Sequence, residues 1–280
     1  MKLKNILKVG AVALASTLVL AACGSKSSST DTADTKAAEK ETVVLATVGT
    51  TKPFSYEADG NLTGYDIEVA RAVFEGSEKY ELKIEKTAWS SIFAGLDSDK
   101  FAIGANNISY NEERAAKYLY SLPTASNPLV LAVNKNSGIK SYDDIAGKST
   151  QVVQGTSTAA MLETYNTEHA DAQTNINYTN EDLAQMLLSL DSGKFDYKIF
   201  ETQSVRTIVE EQGLENIEII ELDLESDQKP YVYFVLSQSQ EDVQKFINER
   251  LKELYKDGTL EKLSQEFLGG SYLPDASEFE

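Results

Sequence analysis

A chain of 280 residues with 41% hydrophobic side chains can build one large domain or two of medium size around a real core. Its formal charge is -18, and the first 23 residues contribute Lys2, Lys4 and Lys8 with no acid, so the remainder is more acidic still. A surface of that sign repels phosphate and excludes nucleic acid as a partner, leaving solubility as its plain purpose.

Residues 1–23 read as an export signal. The three lysines precede an apolar run from Val9 to Ala22, which is too short for a comfortable membrane span. The run ends in Leu20-Ala21-Ala22-Cys23-Gly24, which resembles the lipobox of bacterial lipoproteins, where the cysteine is acylated and becomes the first residue. Cys23 is the only cysteine, so no intramolecular disulfide can form and stability must come from packing. Residues 24–41 are rich in Ser, Thr, Ala and charge without a large apolar side chain, the composition of a flexible tether.

From Val43 onward strand and helix patterns alternate, which predicts an α/β fold with mainly parallel sheets. The spacing predicts strands at Val43–Val48, Tyr80–Ile84, Phe101–Ala105, Pro128–Val133, Gln151–Val153, Phe195–Phe200 and Tyr231–Leu236. Helical periodicity covers Tyr65–Phe74, the segment around Ile92, Phe93 and Leu96, the segment after Thr158, then Glu181–Leu190, Glu241–Lys256 and Thr259–Phe267. Leu96-Asp97-Ser98-Asp99-Lys100-Phe101 recurs as Leu190-Asp191-Ser192-Gly193-Lys194-Phe195, each copy between a helix and a strand. Gly193 suits a left-handed helix end, and Asp99 tolerates that conformation too. The echo predicts two similar lobes. Ligands of open α/β sheets sit beyond the carboxyl ends of strands, which nominates Asn106, Asn107 and Ser109 on one wall and Glu201 on the other.

Arg114 follows the first wall and could grip a carboxylate through both oxygens, or pair on the surface with Glu112 or Glu113. Glu201 could hold an ammonium, or serve as an acid at the start of a helix. Gly155-Thr156-Ser157-Thr158 could bind an anionic group or form an ordinary N-cap. Trp89, the only tryptophan, is either core or a stacking platform. No Gly-x-Ser-x-Gly, His-Glu-x-x-His or P-loop occurs, and the single histidine, His169, lies in a polar stretch. No catalytic residue, metal or cofactor is expected.

Gly64-Tyr65-Asp66-Ile67-Glu68-Val69-Ala70, Trp89 with Ala94-Gly95-Leu96, Asn107-Ile108-Ser109 before Arg114, Gln154-Gly155-Thr156 and Gly193-Lys194-Phe195-Asp196 together resemble the polar-amino-acid family of bacterial solute-binding proteins. These are the extracellular components of ABC importers. The resemblance implies a two-lobed, periplasmic-binding-protein-like fold with two α/β lobes joined by a two-strand hinge. It sets lobe 1 at 42–132 and 237–280, lobe 2 at 133–230, and the second hinge strand at 231–236. It implies a free amino acid as ligand, with Arg114 and Ser109 on its carboxylate assisted by backbone at Asn107. Glu201 would meet its ammonium, Thr156 and Ser157 would contact it from the second lobe, and Trp89 would stack on its side chain. Thr51 and Phe54 are weaker candidates for the family's aromatic contact. Trp89-Ser90-Ser91-Ile92-Phe93 and the Asn106-Asn107 pair look most like the cystine-binding branch, and no second acid or base is expected near the walls. Lys198 interrupts a strand that is normally apolar in the family. The remaining implications are a monomer, anchored by lipid to the outer face of the cytoplasmic membrane, that delivers ligand to an ABC permease. The competing readings are an exported dehydratase-like enzyme on the same fold and a surface sensor or adhesin.

Firm anchoring needs more than one acyl chain. Cys23→Ser is expected to abolish incorporation of a fatty-acid analogue in metabolic labelling; equal labelling of variant and wild type would contradict the lipobox reading.

Overall fold

A computed structural model describes residues 39–222 and 230–280 of the chain. The segment read as an export signal and nearly all of the segment read as a tether lie outside the described residues. Glu41, assigned to the tether, already belongs to the first strand.

That strand, β1 (Glu41–Thr47), precedes a small antiparallel sheet of β2 (Thr50–Thr51), β3 (Ser55–Ala58) and β4 (Asn61–Thr63). Next come α1 (Tyr65–Phe74), β5 (Tyr80–Lys86), α2 (Trp89–Asp97), β6 (Ile103–Ser109), α3 (Glu112–Ala115), β7 (Leu119–Tyr120) and β8 (Ala125–Ser126). The chain continues through β9 (Leu129–Asn134), β10 (Ser149–Val152), α4 (Ser157–Glu168), β11 (Asn175–Tyr178), α5 (Leu183–Asp191), β12 (Tyr197–Glu201), α6 (Thr202–Gln212) and β13 (Ile217–Glu221). It returns with β14 (Tyr231–Leu236), α7 (Glu241–Lys256) and α8 (Thr259–Leu268).

The strands form two larger sheets, one in each lobe. The first runs β5-β1-β6-β14-β7 with β8 also on β14, and the second runs β11-β10-β12-β9-β13. Each holds three parallel strands beside antiparallel ones, so the sheets are more mixed than the expected, mainly parallel arrangement. The antiparallel neighbours are β9 and β14, the strands next to the passages between lobes. A chain leaving one sheet and later returning runs against the strands built by βαβ crossovers.

Both faces of each sheet are covered. Val43, Leu45, Ile103 and Phe234 pack under α1, α7 and α8, while Ala46, Ile108 and Val235 pack under α2. In the second lobe Val130 and Ala132 face α5 and α6, and Leu131, Val133, Val152 and Ile199 face α4. The sequence echo falls at equivalent places, the passage from α2 to β6 and that from α5 to β12. Asp99 and Gly193 are both left-handed there, with φ 55° and 77°.

The expected hinge strands do not bridge the lobes. β9 pairs along its whole length with β12 and β13 in the second sheet, and β14 pairs with β6 in the first. Each strand is fully used as a ladder element of one lobe. The first passage is therefore Asn127–Pro128, earlier than Val130–Val133, and the return lies between Glu221 and Tyr231.

α1 explains the Gly64-Tyr65-Asp66 motif. Its first N–H groups have no helical partner. Tyr65 N donates to the Pro53 carbonyl (2.9 Å) and Asp66 N to the Phe54 carbonyl (3.0 Å). Gly64 has φ 113°, and a Cβ there would stand 2.5 Å from the Phe54 carbonyl oxygen. Gly64→Ala is expected to destabilise the protein by on the order of 1–3 kcal/mol, read by thermal melting. Gly60→Ala, where nothing lies within 4 Å, should cost less.

Candidate functional site

The carboxyl ends of β6 and of β10, β11 and β12 face one another across a cleft of about 680 Å³ between the lobes. Trp89, Asn106, Asn107, Ser109, Arg114, Thr156, Ser157 and Glu201 all line it, as does Thr51. Phe54 does not: it is fully buried in the first core, edge-on to Tyr65 with ring centroids 6.0 Å apart. Its backbone oxygen accepts from Asp66 N at the start of α1.

Arg114 is only 9% exposed. Asn111 caps its one-turn helix through a bond from Arg114 N to Asn111 Oδ1, which turns the side chain inward. Its guanidinium donates to the carbonyls of Ser109 (3.3 Å) and Gly155 (2.9 Å) and to Ser157 Oγ (3.3 Å), and lies 5.1 Å from the ring centroid of Phe93 and 5.5 Å from that of Trp89. Among the described residues no carboxylate forms an ion pair with it; Glu113 pairs with Lys117 instead. The surface reading of Arg114 is thereby excluded. Ser109 Oγ donates to Ser157 Oγ (3.1 Å), so first-lobe and second-lobe side chains meet directly across the cleft.

Glu201 stands at the N-cap position of α6, as the reading of an acid at a helix start requires, but its side chain makes no cap hydrogen bond. It is 7% exposed, its Oε2 accepts no hydrogen bond, and burial pushes its pKa up to about 7 against the attraction of Lys198 and Arg114. Lys198 is buried on β12, with its Nζ 5.4 Å from the ring centroid of Phe200, a cleft residue. Desolvation lowers its pKa to about 8, and Glu201 opposes that shift. Lys198 therefore interrupts the apolar strand as a buried cation beside Phe200 and within electrostatic reach of Glu201.

Other candidates are partly committed. Thr156 caps α4, donating to the Val153 carbonyl and accepting from Ala159 N, so the N-cap reading holds although the residue also lines the cleft. Asn106 spends its amide on Thr47, Val48 N and Thr51 Oγ1, which fixes the β1–β2 turn and brings Thr51 to the rim. Asn107 is left-handed (φ 52°), and its Nδ2 is buried without a partner. Its N–H donates to Asp66 Oδ2 (2.6 Å), a fully buried carboxylate that desolvation raises to about 7. Trp89 stands edge-on to Phe93 at 5.1 Å and is only partly buried.

The second wall also carries Glu181 and Asp182, which overturns the expectation of no further acid or base. Glu181 accepts from Gln151 Nε2 (2.8 Å), and Asp182 caps α5. Both lie just past the carboxyl end of β11, so the rule that nominated Ser109 and Glu201 also reaches them. Met186, Phe200 and Phe93 add apolar surface to the same lining.

The family described as bacterial extracellular solute-binding proteins, family 3, matches residues 43–270. The L-cystine-binding protein TcyA of Bacillus subtilis (strain 168) is 30% identical over 236 residues, covering 82% of this chain and 82% of TcyA. A solved structure from work on glutathione import in Gram-positive bacteria via GshT and the cystine ABC importer TcyBC of Streptococcus mutans is 62% identical. It has a TM-score of 0.83 and covers 86% of this chain and 100% of that one. A putative L-cystine ABC transporter structure from Listeria monocytogenes is 26% identical with a TM-score of 0.74, covering 84% of this chain and 98% of that one.

The buried acid at the foot of the first wall makes stability depend on pH. The folded value for Asp66, about 7, lies above its ordinary value of 3.8. Its burial therefore costs the fold nothing well below pH 4, and the cost grows as pH rises toward 7 and persists above. The melting temperature of Asp66→Asn relative to wild type is expected to rise by on the order of 5 °C between pH 4 and pH 8. A difference independent of pH would show that Asp66 ionises normally.

Proposed function

The chain belongs to family 3 of the bacterial extracellular solute-binding proteins, and from that premise we propose how it selects its cargo. It is an amino-acid-binding protein of an ABC importer, with cystine and glutathione import proteins among its relatives. We infer that its ligand is glutathione or L-cystine. The two share a free α-amino acid head, sulfur at mid-length and a second carboxylate. Arg114 takes the α-carboxylate with help from Ser109, and Glu201 takes the α-ammonium. Ser157 and Thr156 close from the second lobe, and Trp89 covers the side chain.

One observation carries this reading. A guanidinium and a carboxyl group, each more than nine-tenths buried, face a single cleft, and among the described residues neither forms an ion pair. A zwitterionic head completes both at once, whereas a plain acid or amine leaves the other charge unpaired at a cost of several kcal/mol. The apolar part of the cleft lining supports the choice of cargo. Sulfur packs well against aromatic and thioether groups, which Phe93, Phe200 and Met186 supply.

The same proposal includes a trap mechanism. Lobe 1 comprises residues 41–126 together with 231–280, lobe 2 runs from Leu129 to Glu221, and each turns as a rigid body about the two passages between them. Ligand contacts both walls only when they meet, so its differential affinity drives closure. The protein acts as a monomer held at the membrane surface by acyl chains on Cys23, and it releases its ligand chemically unchanged.

Calorimetry against L-cystine, reduced and oxidised glutathione and single amino acids, followed by mass spectrometry of the recovered ligand, tests this. Saturable binding of a sulfur-bearing ligand, recovered intact, is the expected result; a converted product would favour the enzyme reading. Arg114→Lys keeps the charge but not the two-pronged grip, and is expected to weaken binding by about 2–5 kcal/mol. Unchanged affinity would remove Arg114 from the site.

A further inference from the structure

The two walls of the cleft are also joined from behind. Asn127 lies at the first passage between the lobes and is almost completely buried. Its Nδ2 donates to Asn107 Oδ1 (2.9 Å), and its Oδ1 accepts from Gln203 N (3.1 Å). Asn107 belongs to the first wall. Gln203 lies two residues after Glu201, in the first turn of α6. One side chain thus spans from β6 of one sheet to the helix that follows β12 of the other.

The surrounding bonds concentrate at the same point. Asn127 N donates to the Pro230 carbonyl (2.7 Å), tying the outgoing passage to the returning one. Thr202 donates to the Pro128 carbonyl through both its N–H (2.8 Å) and its Oγ1 (2.7 Å). On the other side Asn107 is held by Asp66, so a buried chain runs Asp66–Asn107–Asn127–Gln203. By contrast, Arg114 to Gly155 and Ser109 to Ser157 join the lobes within the cleft itself.

These two sets of bonds have different fates in a hinged protein. Points near the axis of a rotation move little, and points far from it move most. We propose that Asn127 is a positioning residue of the ligand site, which fixes Asn107 and the Glu201-bearing start of α6 against each other at the pivot in both open and closed states. This inference rests on the trap mechanism proposed above. The ammonium end of the site is then assembled before ligand arrives, and only the contacts from the second lobe at residues 155–157 are completed by closure. Preassembly removes part of the ordering cost that binding would otherwise pay.

The chemistry of the link dictates the variants. Asn127→Leu keeps the size but offers neither a donor to Asn107 nor an acceptor to Gln203. Asn127→Asp keeps the acceptor for Gln203 N, and in the protonated form that burial favours its O–H donates to Asn107 Oδ1 as the amide does. With glutathione and L-cystine as probes, Asn127→Leu is expected to bind about tenfold more weakly, equivalent to one net hydrogen bond to the walls. Asn127→Asp should return to within about threefold of wild type by the same measure. Wild-type affinity in Asn127→Leu overturns the proposal, as does equal weakening in both variants.

Hydrogen exchange on the unaltered full chain provides a test that does not depend on the variants folding. The amide of Gln203 is expected to be protected equally with and without glutathione, while peptides covering 155–157 gain protection when it is added. Protection at Gln203 that appears only with ligand overturns the pivot assignment. If 155–157 gains nothing from any probe, the trap reading fails instead, and Gln203 protection in the ligand-free protein still reports on the link itself.

Discussion

A guanidinium withdrawn from water needs acceptors for its five N–H groups, and it remains a full charge after it has found them. Arg114 finds acceptors that are neutral: two carbonyls, one hydroxyl and the faces of two aromatic rings. Its hydrogen-bonding geometry is served while its charge is not cancelled. The capped single turn of α3 aims it, the end of β6 supplies the Ser109 carbonyl, and the loop before α4 supplies the Gly155 carbonyl. Glu201 is the complementary case, a carboxylate drawn into the opposite wall with one oxygen lacking a partner. A cleft between two bodies can keep such charges apart from each other yet within reach of a third molecule carrying both signs.

The lobes achieve this by using the same construction twice. In each sheet three parallel strands stand in the order second, first, third: β5-β1-β6 in one lobe and β11-β10-β12 in the other. Strands so arranged end on the same side, and turning one lobe toward the other sets both sets of ends against a common space. The left-handed residues Asp99 and Gly193 mark equivalent corners. Asp99 is additionally secured by hydroxyl bonds from Ser237 and Ser239, which let a residue with a Cβ occupy a position that glycine fills in the other lobe.

Much of this could be read from residue order. The periodicity of Tyr65–Phe74 and Glu241–Lys256 reproduces α1 and α7 to the residue, because each buries one continuous apolar stripe. Strand-end reasoning located Ser109 and Glu201. It missed Glu181 and Asp182 because β11 is short and mostly exposed, with no apolar alternation to announce it. The β2–β4 sheet was overlooked for the same reason. Phe54 packs against Tyr65 in the first core, and a lone aromatic beside a turn reads the same in sequence whether it faces core or cleft. The hinge positions were misplaced because an apolar strand carries no mark of which sheet will claim it. Lys198 was visible as an anomaly, but its meaning depends on Phe200 and Glu201 lying beside it.

The second lobe is one uninterrupted stretch of chain, whereas the first is completed only when β14 returns to pair with β6, Val232 beside Ser109. β14, α7 and α8 supply Val232, Phe234, Leu236, Ile247, Leu251 and Leu260 to the first core. Until they arrive, β6 lacks its neighbour on one side and α1 lacks the helices that cover it. Closing that long loop costs entropy, while the second lobe can gather its strands from nearby sequence. The lobe that carries Arg114 is therefore the later to mature, and its central strands stay open to other chains for longest. An exported chain built in this order is most exposed to aggregation in the interval before its last 50 residues have docked.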